Sequence, residues 1–91
     1  MATIILGEPR WITDEKGNKF PIFDGLSFEE CLKVREHRTI LQHMVDTDKR
    51  KFPVGENAHI LDGYVYKFDV SKSDRRVKLI SRWDYGDDVD V

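Results

Sequence analysis

Three histidines, one cysteine and a large stock of carboxylates and bases are the side chains able to do chemistry in this sequence. A structural zinc needs four nitrogen or sulfur ligands, and a catalytic zinc at least three from the protein. His37 and His43 fall on different faces of a helix, and in a strand they would stand about 20 Å apart at roughly 3.3 Å per residue. With His59 they make no ligand set, so no metal and no cofactor is expected. Cys31 would be a nucleophile if a histidine activated its thiolate. It follows Phe28 and precedes Leu32 in a helical stretch, however, and free cysteine most often packs as a small hydrophobe. The sequence has no GxSxG, no HExxH and no phosphate-cradling glycine loop. Asp87, Asp88 and Asp90 crowd the end of the chain, where no element holds two of them at a fixed distance. The chain reads as non-enzymatic.

The bases are more informative than any motif. Lys67 to Arg82 holds six basic and two acidic residues, a balance of +4, and Asp84 to Asp90 adds four acidic residues directly after it. Lys67, Arg76, Lys78 and Arg82 fall on the polar face of a hairpin. With Lys49, Arg50 and Lys51 they suit an acidic protein surface or a phosphate backbone. The same residues also suit a solvated strand face that resists edge-to-edge association. Tyr64, Tyr66 and Phe68 resemble a base-stacking stripe, yet they are the only evident core of that hairpin, so burial is expected. Trp11, Trp83 and Tyr85 stand near strand ends, where aromatic side chains serve as interface anchors. The candidate binding residues are therefore Trp11, Lys49, Arg50, Lys51, Phe52, Lys67, Lys78, Arg82, Trp83 and Tyr85.

These side chains must be positioned by a single small domain, because 91 residues with 40% hydrophobic and 35% charged side chains fold around one core. Residues 3 to 26 read as β-structure broken by turns, with a hairpin tip at Asp14 to Asn18 and a short edge strand from Phe20 to Phe23, because Pro21 cannot donate a ladder hydrogen bond. Ser27 and Glu30 match a capping box, which starts a helix at Phe28. Its apolar residues do not form one clean stripe as far as Val45, so it either runs on, which the propensities favour, or stops and leaves Arg38 to Val45 as a strand. Asp46 to His59 is expected to be a long loop. Tyr64 to Val70 and Val77 to Tyr85 alternate as an antiparallel hairpin. The expected fold class is α+β, a small single domain over residues 1–86 with an antiparallel sheet of four to five strands and one helix on one face. Residues 87–91 follow as an acidic C-terminal tail. Core candidates are Ile5, Ile12, Phe23, Phe28, Leu32, Leu41, Val45, Tyr66, Phe68, Val77, Leu79 and Trp83.

A net charge of −2 offers nucleic acid or an anionic membrane no general attraction. No apolar run approaches the roughly 18 residues of a membrane span, and a single cysteine suits a reducing compartment, so a cytoplasmic location is expected. The sequence points to a protein-binding or assembly module, docking through the 46–59 loop and the C-terminal hairpin. It would be a small subunit of a larger complex, or an accessory or inhibitor protein such as a phage or other mobile element carries. The alternative is nucleic-acid binding through the basic hairpin. Gly63 to Tyr85 is similar in rhythm to the terminal hairpin of small bacterial ribonuclease toxins, which implies RNA cleavage. That likeness is confined to the hairpin and brings no catalytic motif.

Overall fold

The computed structural model describes residues 3–88. Ser27 is extended (φ −68°, ψ 165°), and its Oγ accepts the Glu30 N–H at 3.2 Å, so helix α1 runs Phe28–Thr47. Glu29 and Glu30 place negative charge in its first turn, where the helix dipole favours it. Glu30 does not complete the capping box; its carboxylate is held by Arg82 at 3.0 Å. The longer of the two helices considered is the one formed. Its buried stripe is Cys31, Val34, His37, Leu41 and Val45, one face at helical spacing. The stripe looks broken in sequence because Phe28 and Leu32 group with Cys31 on a second face, yet Phe28 is exposed and Leu32 only half-buried, and His37 completes the buried face.

Strands β1 (Ile4–Ile5), β4 (Gly55–Leu61), β5 (Tyr64–Val70) and β6 (Val77–Asp84) form an antiparallel sheet in the order β1-β6-β5-β4. Strands β2 (Arg10–Thr13) and β3 (Lys19–Ile22) form a separate two-stranded ribbon. Its tip is tied by Asp14, whose Oδ1 accepts the Lys16 and Asn18 N–H groups at 2.9 and 2.8 Å. The fold is a small α+β domain, with one helix packed against the four-stranded sheet and the ribbon beside it.

The long loop expected over 46–59 is corrected, because α1 reaches Thr47 and β4 begins at Gly55. Strand β4 was hard to read because two of the side chains it turns toward the core, Asn57 and His59, are polar and only Leu61 at its end is apolar. Asp62 and Gly63, with φ of 54° and 81°, make the two-residue turn from β4 into β5, the conformation Asp-Gly favours in hairpins.

A β-bulge decides the face of each residue at the end of β6. Phe68 pairs with Leu79 but Lys67 pairs with Ser81, leaving Ile80 as the extra residue. Beyond it the alternation inverts. Arg82 lies opposite Tyr66, on the helix side, and Trp83 lies opposite Val65, on the other face. The core holds Leu6, Phe23, Cys31, Val34, Leu41, Val45, Phe52, Tyr66, Phe68, Val70, Val77 and Leu79. Ile5, Ile12 and Phe28, expected in it, are exposed. Ile5 pairs with Ser81 on the outer face, Ile12 stands in the separate ribbon, and Phe28 packs edge-on against Phe20 at 5.6 Å. Leu32 and Trp83 are half-buried.

Residues Tyr85–Asp88 form a one-turn helix, α2. The rest of the expected acidic tail, 89–91, lies outside the described residues.

Candidate functional site

The Leu6 N–H donates to the Ile80 carbonyl at 2.9 Å, and the chain then turns away from the sheet at Gly7. β1 therefore covers only Ser81 and Arg82 of β6, and among the described residues Val77 to Leu79 have no strand beside them on that edge. Gln42 closes one end, its Oε1 accepting the Val77 N–H at 2.8 Å and its Nε2 donating to the Arg75 carbonyl at 3.0 Å. A groove of about 640 Å³ opens along this edge, between the ribbon, α1 and the β5–β6 end of the sheet.

The groove has an apolar floor and a charged rim. Phe23, Val34, Val77 and Leu79 supply buried carbon at its base, and Trp11, 59% exposed, stands on the ribbon wall. Arg35, Arg38, Lys72, Arg76 and Lys78 line it against Glu8, Asp69 and Asp74. Arg35 is anchored, with Nη1 donating to the Lys19 carbonyl at 3.1 Å and its guanidinium 5.1 Å from the Phe20 ring centre. Lys78 is paired with Glu8 at 3.5 Å. Arg38 is half-buried, and burial followed by the positive charge of Arg76 holds its guanidinium below the ordinary arginine value. Among the described residues, neither Arg38 nor Arg76 has a carboxylate at ion-pair distance. The Asp74 carboxylate accepts the Arg76 backbone N–H at 3.1 Å.

A second polar cluster lies inside the fold. His37 Nδ1 and the Tyr66 hydroxyl are 2.6 Å apart, and His37 Nε2 is 3.5 Å from Asp62. Arg82 reaches Glu30 at 3.0 Å and lies 4.2 Å from the Tyr64 ring centre. Burial lowers the His37 pKa against the opposing pull of Asp62 and Glu36, and burial raises that of Tyr66. For Arg82, the Tyr66 hydroxyl and the Glu30 carboxylate outweigh burial and hold the charge. The constellation resembles acid–base machinery, but Tyr66 is fully buried and His37 is 5% exposed, so a substrate cannot reach the pair. It is a core network in which most buried polar groups find partners, while the buried Arg82 Nη1 has no hydrogen-bond partner among the described residues.

The residues singled out in sequence separate accordingly. Trp11 and Lys78 line the groove. Lys67 is on the outer face of the sheet, paired with Glu56 at 3.0 Å. Lys49, Arg50 and Lys51 are exposed on the turn after α1, away from the groove lining. Tyr85 is 42% exposed at the start of α2. Two surface assignments are corrected. Phe52 is 2% exposed, packed 6.1 Å from the Phe68 ring and 5.4 Å from the His59 ring, because the turn after α1 folds it over β4 and β5. Arg82 is 4% exposed, because the bulge turns it inward. Sequence reading missed Arg35 and Arg38 in the groove, although their i,i+3 spacing puts them on one side of a helix.

No group of three or more His, Cys, Asp or Glu capable of holding a metal occurs among the described residues. Among them, no helix is long and apolar enough to cross a membrane. No family model, curated protein or solved structure matches the chain.

Proposed function

We propose that this protein is a non-enzymatic binding module that takes an acidic, extended segment of another protein into the groove beside β6. It would act as a small subunit or accessory of a larger assembly. The observation that carries this reading is the unpaired Arg38–Arg76 rim standing over an apolar floor at an open strand edge. An added strand gains main-chain hydrogen bonds from such an edge and specificity from side-chain pockets. Trp11 supplies an exposed aromatic anchor of the kind that concentrates binding energy. A nucleic-acid partner is less well served. Arg82 is internal, and Lys67 and Lys78 each have a carboxylate neighbour, so the basic stripe read along the hairpin is interrupted.

Selection of random decapeptides against the folded protein tests the reading. Selected peptides are expected to be rich in Asp and Glu, to move the amide resonances of Val77 to Leu79 and the Trp11 indole, and to bind at least tenfold more weakly to Trp11→Ala. Peptides that map to the outer sheet face, or an oligonucleotide that displaces them with a steep salt dependence, would overturn it.

A further inference from the structure

The two guanidiniums on the groove rim differ from four of the other five arginines, the fifth, Arg50, being exposed on the turn after α1. Arg10, Arg35, Arg75 and Arg82 each bind a carboxylate or a carbonyl of this chain. Arg38 and Arg76 line the same cavity with neither at bonding distance among the described residues; Arg38 is half-buried, and Arg76 is exposed with the Asp74 carboxylate near enough to feel its charge. A half-desolvated charge beside a like charge is unfavourable until an anion joins it. The groove lining carries five basic and three acidic side chains, an excess of two positive charges in a protein whose net charge is −2. One dianion neutralises that excess; a single carboxylate does not. Paired guanidiniums also present the forked donors that match tetrahedral oxyanions.

We infer that Arg38 and Arg76 form a subsite for a phosphate monoester dianion, carried on a phosphorylated side chain of the segment that occupies the groove. The inference rests on the binding-groove reading and names the chemistry of its ligand. A phosphoserine or phosphothreonine brings close to two negative charges at neutral pH and three acceptor oxygens, enough for both guanidiniums. Trp11 and the β6 edge would then hold the flanking residues of the same segment.

The test is titration of the protein, at constant ionic strength and pH 7.5, with inorganic phosphate, with a phosphoserine pentapeptide, with its glutamate counterpart and with a thymidine decanucleotide. The readouts are arginine Nε–H and Trp11 indole resonances. Phosphate and phosphopeptide should both shift these signals, the phosphopeptide binding more tightly. Arg38→Gln and Arg76→Gln should each weaken binding about tenfold or more, as for lost charged hydrogen bonds, while Lys16→Gln at the ribbon tip changes nothing. Unchanged circular dichroism of the variants keeps the loss from being read as unfolding. No shift with phosphate or phosphopeptide removes the subsite. If acidic peptides still bind at Trp11 and β6, the groove reading survives alone. Equal binding of the glutamate peptide refutes the preference for a dianion. Tighter binding of free phosphate refutes a peptide source, and tighter binding of the oligonucleotide refutes a monoester.

Discussion

Arg82 and Arg38 occupy two regions that differ in one respect. Both side chains are taken partly or wholly out of water, but Arg82 is enclosed by Glu30, the Tyr64 ring and the Tyr66 hydroxyl, whereas Arg38 feels the like charge of Arg76 and has no carboxylate at ion-pair distance among the described residues. A buried charge whose complement lies within the chain belongs to the fold. A desolvated charge without one costs stability, and that cost is recovered when a ligand supplies the complement. The same contrast holds for the aromatics. Phe52 fills the core over β4 and β5, while Trp11 stands on the groove wall at 59% exposure.

Substitutions can break this contrast. Phe52→Ala should destabilise the fold by about 3–5 kcal/mol in urea unfolding, as for a buried phenylalanine, whereas Trp11→Ala should change stability by less than about 0.5 kcal/mol. Equal losses at the two positions would mean that the groove wall is core. Arg82→Ala should cost about 2–3 kcal/mol, below the full penalty of a buried pair because Glu30 is half exposed. Arg38→Ala should leave the unfolding midpoint unchanged or raise it.

A smaller effect sharpens the comparison through pH. Burial lowers the His37 pKa from its ordinary 6.5, so the folded chain binds fewer protons there than the unfolded chain does. Stability from this group is fully present above 6.5 and declines as pH falls below it toward the folded value. His59, shifted in the same direction by burial and Lys51, adds to the slope. Unfolding midpoints measured between pH 7 and 5.5 should fall in the native protein and fall less in His37→Asn. A flat native profile would mean that the Asp62 and Glu36 charges compensate the protonated imidazole.

Much of the framework was legible because it depends on local chemistry. Ser27 caps α1 and Asp14 ties the ribbon tip through contacts spanning a few residues, and Tyr66 and Phe68 alternate into the core at the period of a strand. β4 was not legible because Asn57 and His59 occupy central core-facing positions, where period-two reading looks for apolar side chains, and only Leu61 at its end is apolar. The groove was legible only in part. Of the candidate binding residues, Trp11 and Lys78 fall on its lining, whereas the i,i+3 pair Arg35 and Arg38 gained a context only from the ribbon packed beside α1.

By itself, then, the sequence determined the α+β class, the start of the helix and the aromatic strands, since capping, propensity and alternation act within a turn or a strand. Tertiary structure alone decided the face on which Arg82 and Trp83 lie and where the groove opens. One extra residue, Ile80, inverts the side-chain alternation for the rest of β6, and nothing in its type distinguishes a bulge from a paired position. The open edge exists because the chain leaves β6 after Leu6, which only the packing of the ribbon against α1 specifies.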